Sequence, residues 1–99
     1  MMSTTCADAL AVLADPVRTR IVALLAGESL CTCHLMEELD AKQPLVSYHL
    51  KVLREAGLVD SEPFGRFTYY RLRPGAIDEL AGSLGALAAG ARTAVRRSC

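Results

Sequence analysis

Cys31 and Cys33, separated only by Thr32 and followed at once by His34, are the residues whose types and spacing could do the most chemistry. Thiolates are soft donors. They favour zinc, cadmium, lead or trivalent arsenic and antimony over magnesium or calcium. The pair stands where a short helix is expected to begin, and the positive end of a helix lowers a thiol's pKa toward thiolate. A helix terminus also loosens the backbone enough for two thiols two residues apart to converge on one ion. An exposed pair of thiols without such a role would be an oxidation liability. The remaining two of the four cysteines, Cys6 and Cys99, lie near the ends of the chain.

A second set of candidates follows within twenty residues. Gln43, Ser47, Tyr48 and Lys51 recur on the outward side of a helix that Gln43-Pro44 opens, with His49 at the edge of that side. Glutamine can pair in bidentate fashion with adenine, serine and tyrosine can serve bases or phosphates, and lysine suits phosphate or guanine. His49 could add a phosphate contact. Arg66 suits a phosphate or the narrow minor groove.

These residues need elements to position them. A first helix is expected over 7–14. Asp15-Pro16 then reads as a helix start, with aspartate accepting orphan N–H groups and proline at the first helical position. Val17, Ile21, Leu24 and Leu25 form one inward stripe, and Gly27 is expected to end the helix in a left-handed cap. Leu35 and Leu39 mark the inner side of a third, short helix over 32–40. The fourth runs over 43–56, with Val46, Leu50 and Leu53 inward and Gly57-Leu58 as its stop. From Leu58 the apolar period changes, so 58–62 and 67–72 read as strands of a hairpin around Pro63-Phe64-Gly65-Arg66. The last segment is helical, with Ile77, Leu80, Leu84, Leu87 and Ala91 along a narrow heptad seam. Gly82, Gly85 and Gly90 each weaken an isolated helix by about 1 kcal/mol relative to alanine, so this helix is expected to need a partner. A symmetric homodimer is the expected solution.

Ninety-nine residues suffice for one core, so a single domain over 1–99 is expected. The composition, 52% hydrophobic and 22% charged, is that of a folding globular domain. Net charge is +0, which by itself argues against a nucleic-acid partner. Its distribution argues the other way. Up to Asp40, Arg18 and Arg20 face Asp8, Asp15, Glu28, Glu37, Glu38 and Asp40; over 41–73, Lys42, Lys51, Arg54, Arg66, Arg71 and Arg73 outnumber Glu55, Asp60 and Glu62. The basic part coincides with the candidate reading helix and hairpin. No apolar run is long enough to span a membrane, and Met1 to Thr5 carry no positive cluster before an apolar stretch, so a cytoplasmic protein with reduced thiols is expected. No paired-carboxylate pocket, phosphate-cradling glycine loop or Ser-His-Asp set is readable, so no enzyme is expected.

Short helix, tight turn, second helix and basic hairpin make the order of a winged helix-turn-helix, mainly α with a β-hairpin wing, in which the second helix enters the major groove. Leu30-Cys31-Thr32-Cys33-His34-Leu35, the run from Gln43 to Val59, Gly65-Arg66-Phe67-Thr68-Tyr69-Tyr70-Arg71-Leu72 and Ala14-Asp15-Pro16-Val17-Arg18 together resemble the ArsR/SmtB family of bacterial metalloregulatory repressors. The resemblance covers nearly the whole chain. It implies a homodimer joined through its terminal helices that binds an inverted-repeat operator and releases it when a toxic metal or metalloid binds. In that family Cys-x-Cys at this place marks arsenic sensors and also cadmium or lead sensors. Arsenic members often carry a third cysteine three residues after the second, where this chain has Met36. A third thiolate would then come from Cys6, since in related sensors the N-terminal segment of one protomer reaches this helix of the other, or alternatively from Cys99. His34 stands where some members supply an acidic ligand, which makes a cysteine and histidine site for zinc, cadmium or lead the rival arrangement. A thiol redox switch joining Cys31 or Cys33 to Cys6 or Cys99 is the remaining alternative.

Overall fold

The computed structural model describes residues 4–98, with side chains described from Ala7 onward. Five helices and three strands follow in the order α1 (Thr4–Leu13), α2 (Pro16–Leu25), β1 (Leu30–Cys31), α3 (Thr32–Leu39), α4 (Gln43–Glu55), β2 (Val59–Phe64), β3 (Phe67–Leu72) and α5 (Pro74–Arg92). Asp15 caps α2 as expected: its carboxylate accepts from the N–H of Val17 at 2.8 Å and of Arg18 at 3.1 Å. Arg18 and Arg20 then fasten α2 to its neighbours. The Arg18 Nε donates to the Val12 carbonyl at 2.8 Å, and the Arg20 Nη2 donates to the Glu38 carbonyl at 2.9 Å, which ties α2 to the end of α3.

The core is built from one side of each helix. Ile21, Leu35, Val46, Leu50, Leu53, Leu58 and Val59 are its fully buried members, joined by Leu25, Leu30 and Leu80. The amphipathic spacing of α3 and α4 leaves their polar sides outward, and burying each large aliphatic side chain contributes roughly 1.5–3 kcal/mol.

α4 ends as its sequence predicts. Gly57 takes a φ of 77°, its N–H reaches the Arg54 carbonyl and the Leu58 N–H reaches the Leu53 carbonyl, the double bond pattern of a Schellman motif. The end of α2 departs from expectation. Gly27 does not adopt the left-handed conformation; α2 closes on Ala26 at φ −67°, with the Ala26 N–H on the Val22 carbonyl. The left-handed residue instead is Asp40, at φ 49°, which ends α3 while the Ala41 N–H returns to the Met36 carbonyl. Aspartate tolerates this region better than most residues with a Cβ. The turn between α3 and α4 is therefore made by a non-glycine.

The hairpin predicted over 58–62 and 67–72 forms with a longer first strand, and its turn tightens to two residues, Gly65-Arg66. Gly65 has a φ of 62° while Arg66 does not, the arrangement of a II′ turn that suits the twist of the strands. Pro63 is accommodated because β2 is an edge strand in the sheet order β1-β3-β2. The short strand β1 has no counterpart in the sequence reading. It pairs antiparallel with β3, Leu30 opposite Tyr70 and Cys31 opposite Tyr69, and so joins the start of α3 to the wing. α5 packs on α1 through its first half, burying Leu80, whereas Leu84 and Leu87 are 43% and 49% exposed. The predicted seam is thus covered at one end only. No described helix is long and apolar enough to cross a membrane.

Candidate metal centre and nucleic-acid interface

Cys31 is at once the last residue of β1 and the residue preceding α3, with extended backbone at φ −85° and ψ 167°. In a continuous helix, residues two apart diverge around the axis. Here the extended residue breaks that rule, and the Cys31 and Cys33 side chains turn to meet, with Cα atoms 5.4 Å apart and the sulfurs joined in a disulfide. The expectation of free thiols is therefore corrected in this structure, and so is the expectation of an exposed pair: Cys31 is 3% exposed because β1 seats it against the wing, while Cys33 is exposed. Reduction would leave two thiolates already adjacent.

His34 completes the group. Its Nδ1 accepts from the Cys31 backbone N–H at 3.1 Å and stands 3.3 Å from the Cys31 Sγ. The imidazole takes the place of the glutamate or glutamine that reaches back in a capping box. One donor atom from each of Cys31, Cys33 and His34 lies within 4.8 Å of the others, the only such group among the described residues. Two sulfurs and one nitrogen in this space suit a zinc-like ion, which takes such ligands at about 2.0–2.3 Å. Cys6 lies on α1, which packs on α2 and α5, but its side chain is not among those described, and Cys99 lies outside the described residues.

α4 presents the candidate reading residues. Gln43 and Ser47 are exposed, Tyr48 is 57% exposed, and Lys51 extends into solvent with its Nζ 4.0 Å from the Glu55 carboxylate. His49 does not share this surface. It is 6% exposed, with its ring edge-on to Tyr48, and its Nδ1 has no hydrogen-bond partner among the described residues. One residue is a 100° step around a helix, and that step carries His49 from the outward side of Tyr48 to the inward side of Val46, Leu50 and Leu53. The phosphate contact expected of His49 is therefore withdrawn. The Asp15 carboxyl is held below its ordinary value of 3.8, first by the Arg18 N–H, against burial as the next largest effect, with the Val17 N–H and weaker electrostatic help from His49 and Arg18 adding to the lowering.

Arg66 stands at the wing tip. It lines a cleft of about 410 Å³ together with Cys31, Cys33, Gln43 and Ser47, so the thiol pair and three of the candidate DNA contacts share one surface. Residues 15–61 match the family described as "Bacterial regulatory protein, arsR family". A solved structure described as a possible transcriptional regulator for arsenical resistance superposes with a TM-score of 0.74 at 39% identity, covering 81% of this chain and 83% of that one. The chain belongs to the ArsR family. Its architecture is accordingly the winged helix-turn-helix of ArsR-like regulators, with α3 and α4 as the paired helices and β2–β3 as the wing. Among curated ArsR-family relatives, the arsenical resistance operon repressor of Escherichia coli is 48% identical over 64% of this chain and 55% of its own length. The HTH-type transcriptional repressor SmtB of Mycobacterium tuberculosis is 46% identical over 66% of this chain and 48% of its own. The chain spans about half the length of the curated relatives it matches.

Sequence reasoning missed Tyr69 as a neighbour of the ArsR-family thiol pair. Its ring lies 5.9 Å from the His34 ring, edge to face. Only the pairing of Cys31 with Tyr69 brings the two together, and a two-residue strand leaves no periodic signal.

Proposed function

We propose that this chain is a transcriptional repressor that binds inverted-repeat operator DNA as a homodimer and releases it when trivalent arsenic or antimony is held by Cys31, Cys33 and a third thiolate. The observation that carries this reading is the shared cleft: the thiol pair and the reading residues Gln43, Ser47 and Arg66 line it together. An ion that draws Cys31 and Cys33 onto itself alters the start of α3, which packs directly on α4. Operator affinity and ion affinity then oppose each other through one coupling free energy. The name of the E. coli relative, an arsenical resistance operon repressor, supports the arsenic assignment. Cys6 is the first candidate for the third thiolate and Cys99 the second. The dithiol, not the disulfide, is the ion-binding form. No catalytic role is assigned, and the site of action is the cytoplasm, where the DNA is.

A second reading has its own observation. His34 stands with the two sulfurs inside 4.8 Å, which favours cadmium, lead or zinc on a cysteine and histidine site.

The test uses reduced protein and a fluorescent duplex selected from a random pool by the ion-free chain. Anisotropy is followed on addition of arsenite, antimonite, cadmium, lead and zinc in turn, for the wild type and for Cys6→Ser, Cys31→Ser, Cys33→Ser and Cys99→Ser. Cys33→Ser is expected to bind the duplex and fail to release it. Normal ion-driven release by Cys33→Ser would overturn the site.

A further inference from the structure

We propose that Tyr69 is a positioning residue that carries the state of the ion site to the tip of the wing, so that ion capture reaches DNA through the wing as well as through α4. This inference rests on the functional reading above. Three contacts in series support it. Cys31 is paired in register with Tyr69 across β1 and β3. His34, whose Nδ1 accepts from the Cys31 backbone N–H, meets the Tyr69 ring edge to face with centroids 5.9 Å apart. Tyr69 in turn meets Phe64 edge-on at 5.8 Å, and Phe64 is paired with Phe67 across the two-residue turn that carries Arg66.

Residues opposite one another in an antiparallel ladder share a face, and alternate residues of a strand take opposite faces. Cys31, Tyr69, Glu62, Phe64 and Phe67 therefore lie along one face of the sheet. Thr68 and Tyr70 belong to the other and line the reading cleft, which Cys31 and Phe67 of the relay face also border. The relay and the cleft are two routes out of the same cysteine pair. Backbone pairing and ring contact both converge on Tyr69, so a shift of Cys31 or His34 toward an ion is passed to it. Edge-to-face rings at 4.5–7 Å are in favourable contact, which makes the series a packed path rather than a set of near neighbours. The rings at the tip lie outside the core, Phe64 72% exposed and Phe67 55%, so the path ends on the surface of the wing.

The test compares the ratio of duplex affinities without and with ion for reduced wild type, Tyr69→Val, Tyr69→Phe and Phe64→Ala. The ion is arsenite, or cadmium if arsenite leaves the wild type unchanged. Tyr69→Val removes the ring and keeps strand preference; Phe64→Ala breaks the path at an exposed position where folding is not at stake. Coupling in the wild type is expected to be on the order of 10- to 100-fold. Both broken-path variants are expected to bind ion with wild-type affinity and to show that ratio reduced about 3-fold or more from the wild-type value, the remainder being carried through α4, while Tyr69→Phe keeps it. A wild-type ratio retained in Tyr69→Val, or in Phe64→Ala should Tyr69→Val fail to fold, overturns the relay alone. A wild type that binds each ion with no change in duplex affinity overturns the functional reading and the relay together.

Discussion

Asp15 caps α2 through a single carboxylate that accepts from the N–H groups of both Val17 and Arg18, and the Arg18 bond does most to hold its pKa down. Because its folded pKa is lowered, its contribution to stability is fully present above the ordinary value of 3.8 and is lost as pH falls through the lower folded value. Thermal unfolding followed from neutral pH down to about pH 2.5 is expected to show a loss of stability below about pH 4, which Asp15→Asn reduces while preserving a cap at neutral pH. An acid profile identical in Asp15→Asn and wild type would count against this assignment. In the core, Leu53→Ala removes a side chain with no exposure at all and is expected to cost about 2–5 kcal/mol in denaturant titrations. The cap, the core stripe and the identity of the thiol pair were all legible from residue types at short spacing. The burial of Cys31 was not, since it depends on Tyr69, thirty-eight positions away in the chain. His49 was misplaced for a simpler reason: a residue at the edge of a helical face is assigned by a fraction of a 100° step, and only the packing of α4 on α2 settles it.

At the helix ends, Gly57 meets the expectation of a left-handed stop, Gly27 does not, and Asp40 supplies one that the sequence does not announce. Gly57 and Asp40 both take positive φ, whereas Gly27 does not. Gly57→Ala is expected to destabilise the fold by about 1 kcal/mol or more, because a Cβ is strained at that φ. Open space around the position does not remove this strain; the nearest atom to an added Cβ is the Arg73 Nη1 at 3.8 Å. Asp40→Gly is expected to leave the melting temperature unchanged or higher, since it relieves the same kind of strain. A fall in melting temperature with Asp40→Gly would mean that the Asp40 side chain holds the turn in a way its contacts do not reveal. The elements themselves were legible where apolar period and capping agreed, as in α2 and α4. The strand β1 was invisible because two residues have no period, and it exists only through non-local pairing.

At the scale of the whole molecule, the zero net charge and the expected DNA partner are reconciled by where the charges fall. Cations outnumber acids over 41–73, the stretch that folds into α4 and the wing. Affinity for the selected duplex is expected to fall steeply with salt, and Lys51→Ala to weaken it across sequences while reducing the log–log slope by about 1. An unchanged slope would assign Lys51 to its exposed pair with Glu55 instead. The described chain is elongated, 62 × 22 × 21 Å, and the second half of α5 carries the uncovered Leu84 and Leu87. Leu87→Glu is expected to shift the protein to monomer in sedimentation and to abolish operator binding. Gly82, Gly85 and Gly90 sharpen this point. A Cβ at any of them would meet nothing within 4 Å, and alanine would strengthen a lone helix by about 1 kcal/mol at each. In the proposed homodimer a helix left weaker by three such steps would be held by its partner, and the species able to hold DNA would be set by mass action. In dilute solution its amount follows about the square of the chain concentration. Repression would then have a dosage threshold: halving the supply of chain would remove well over half of the DNA-competent form before any ion is bound.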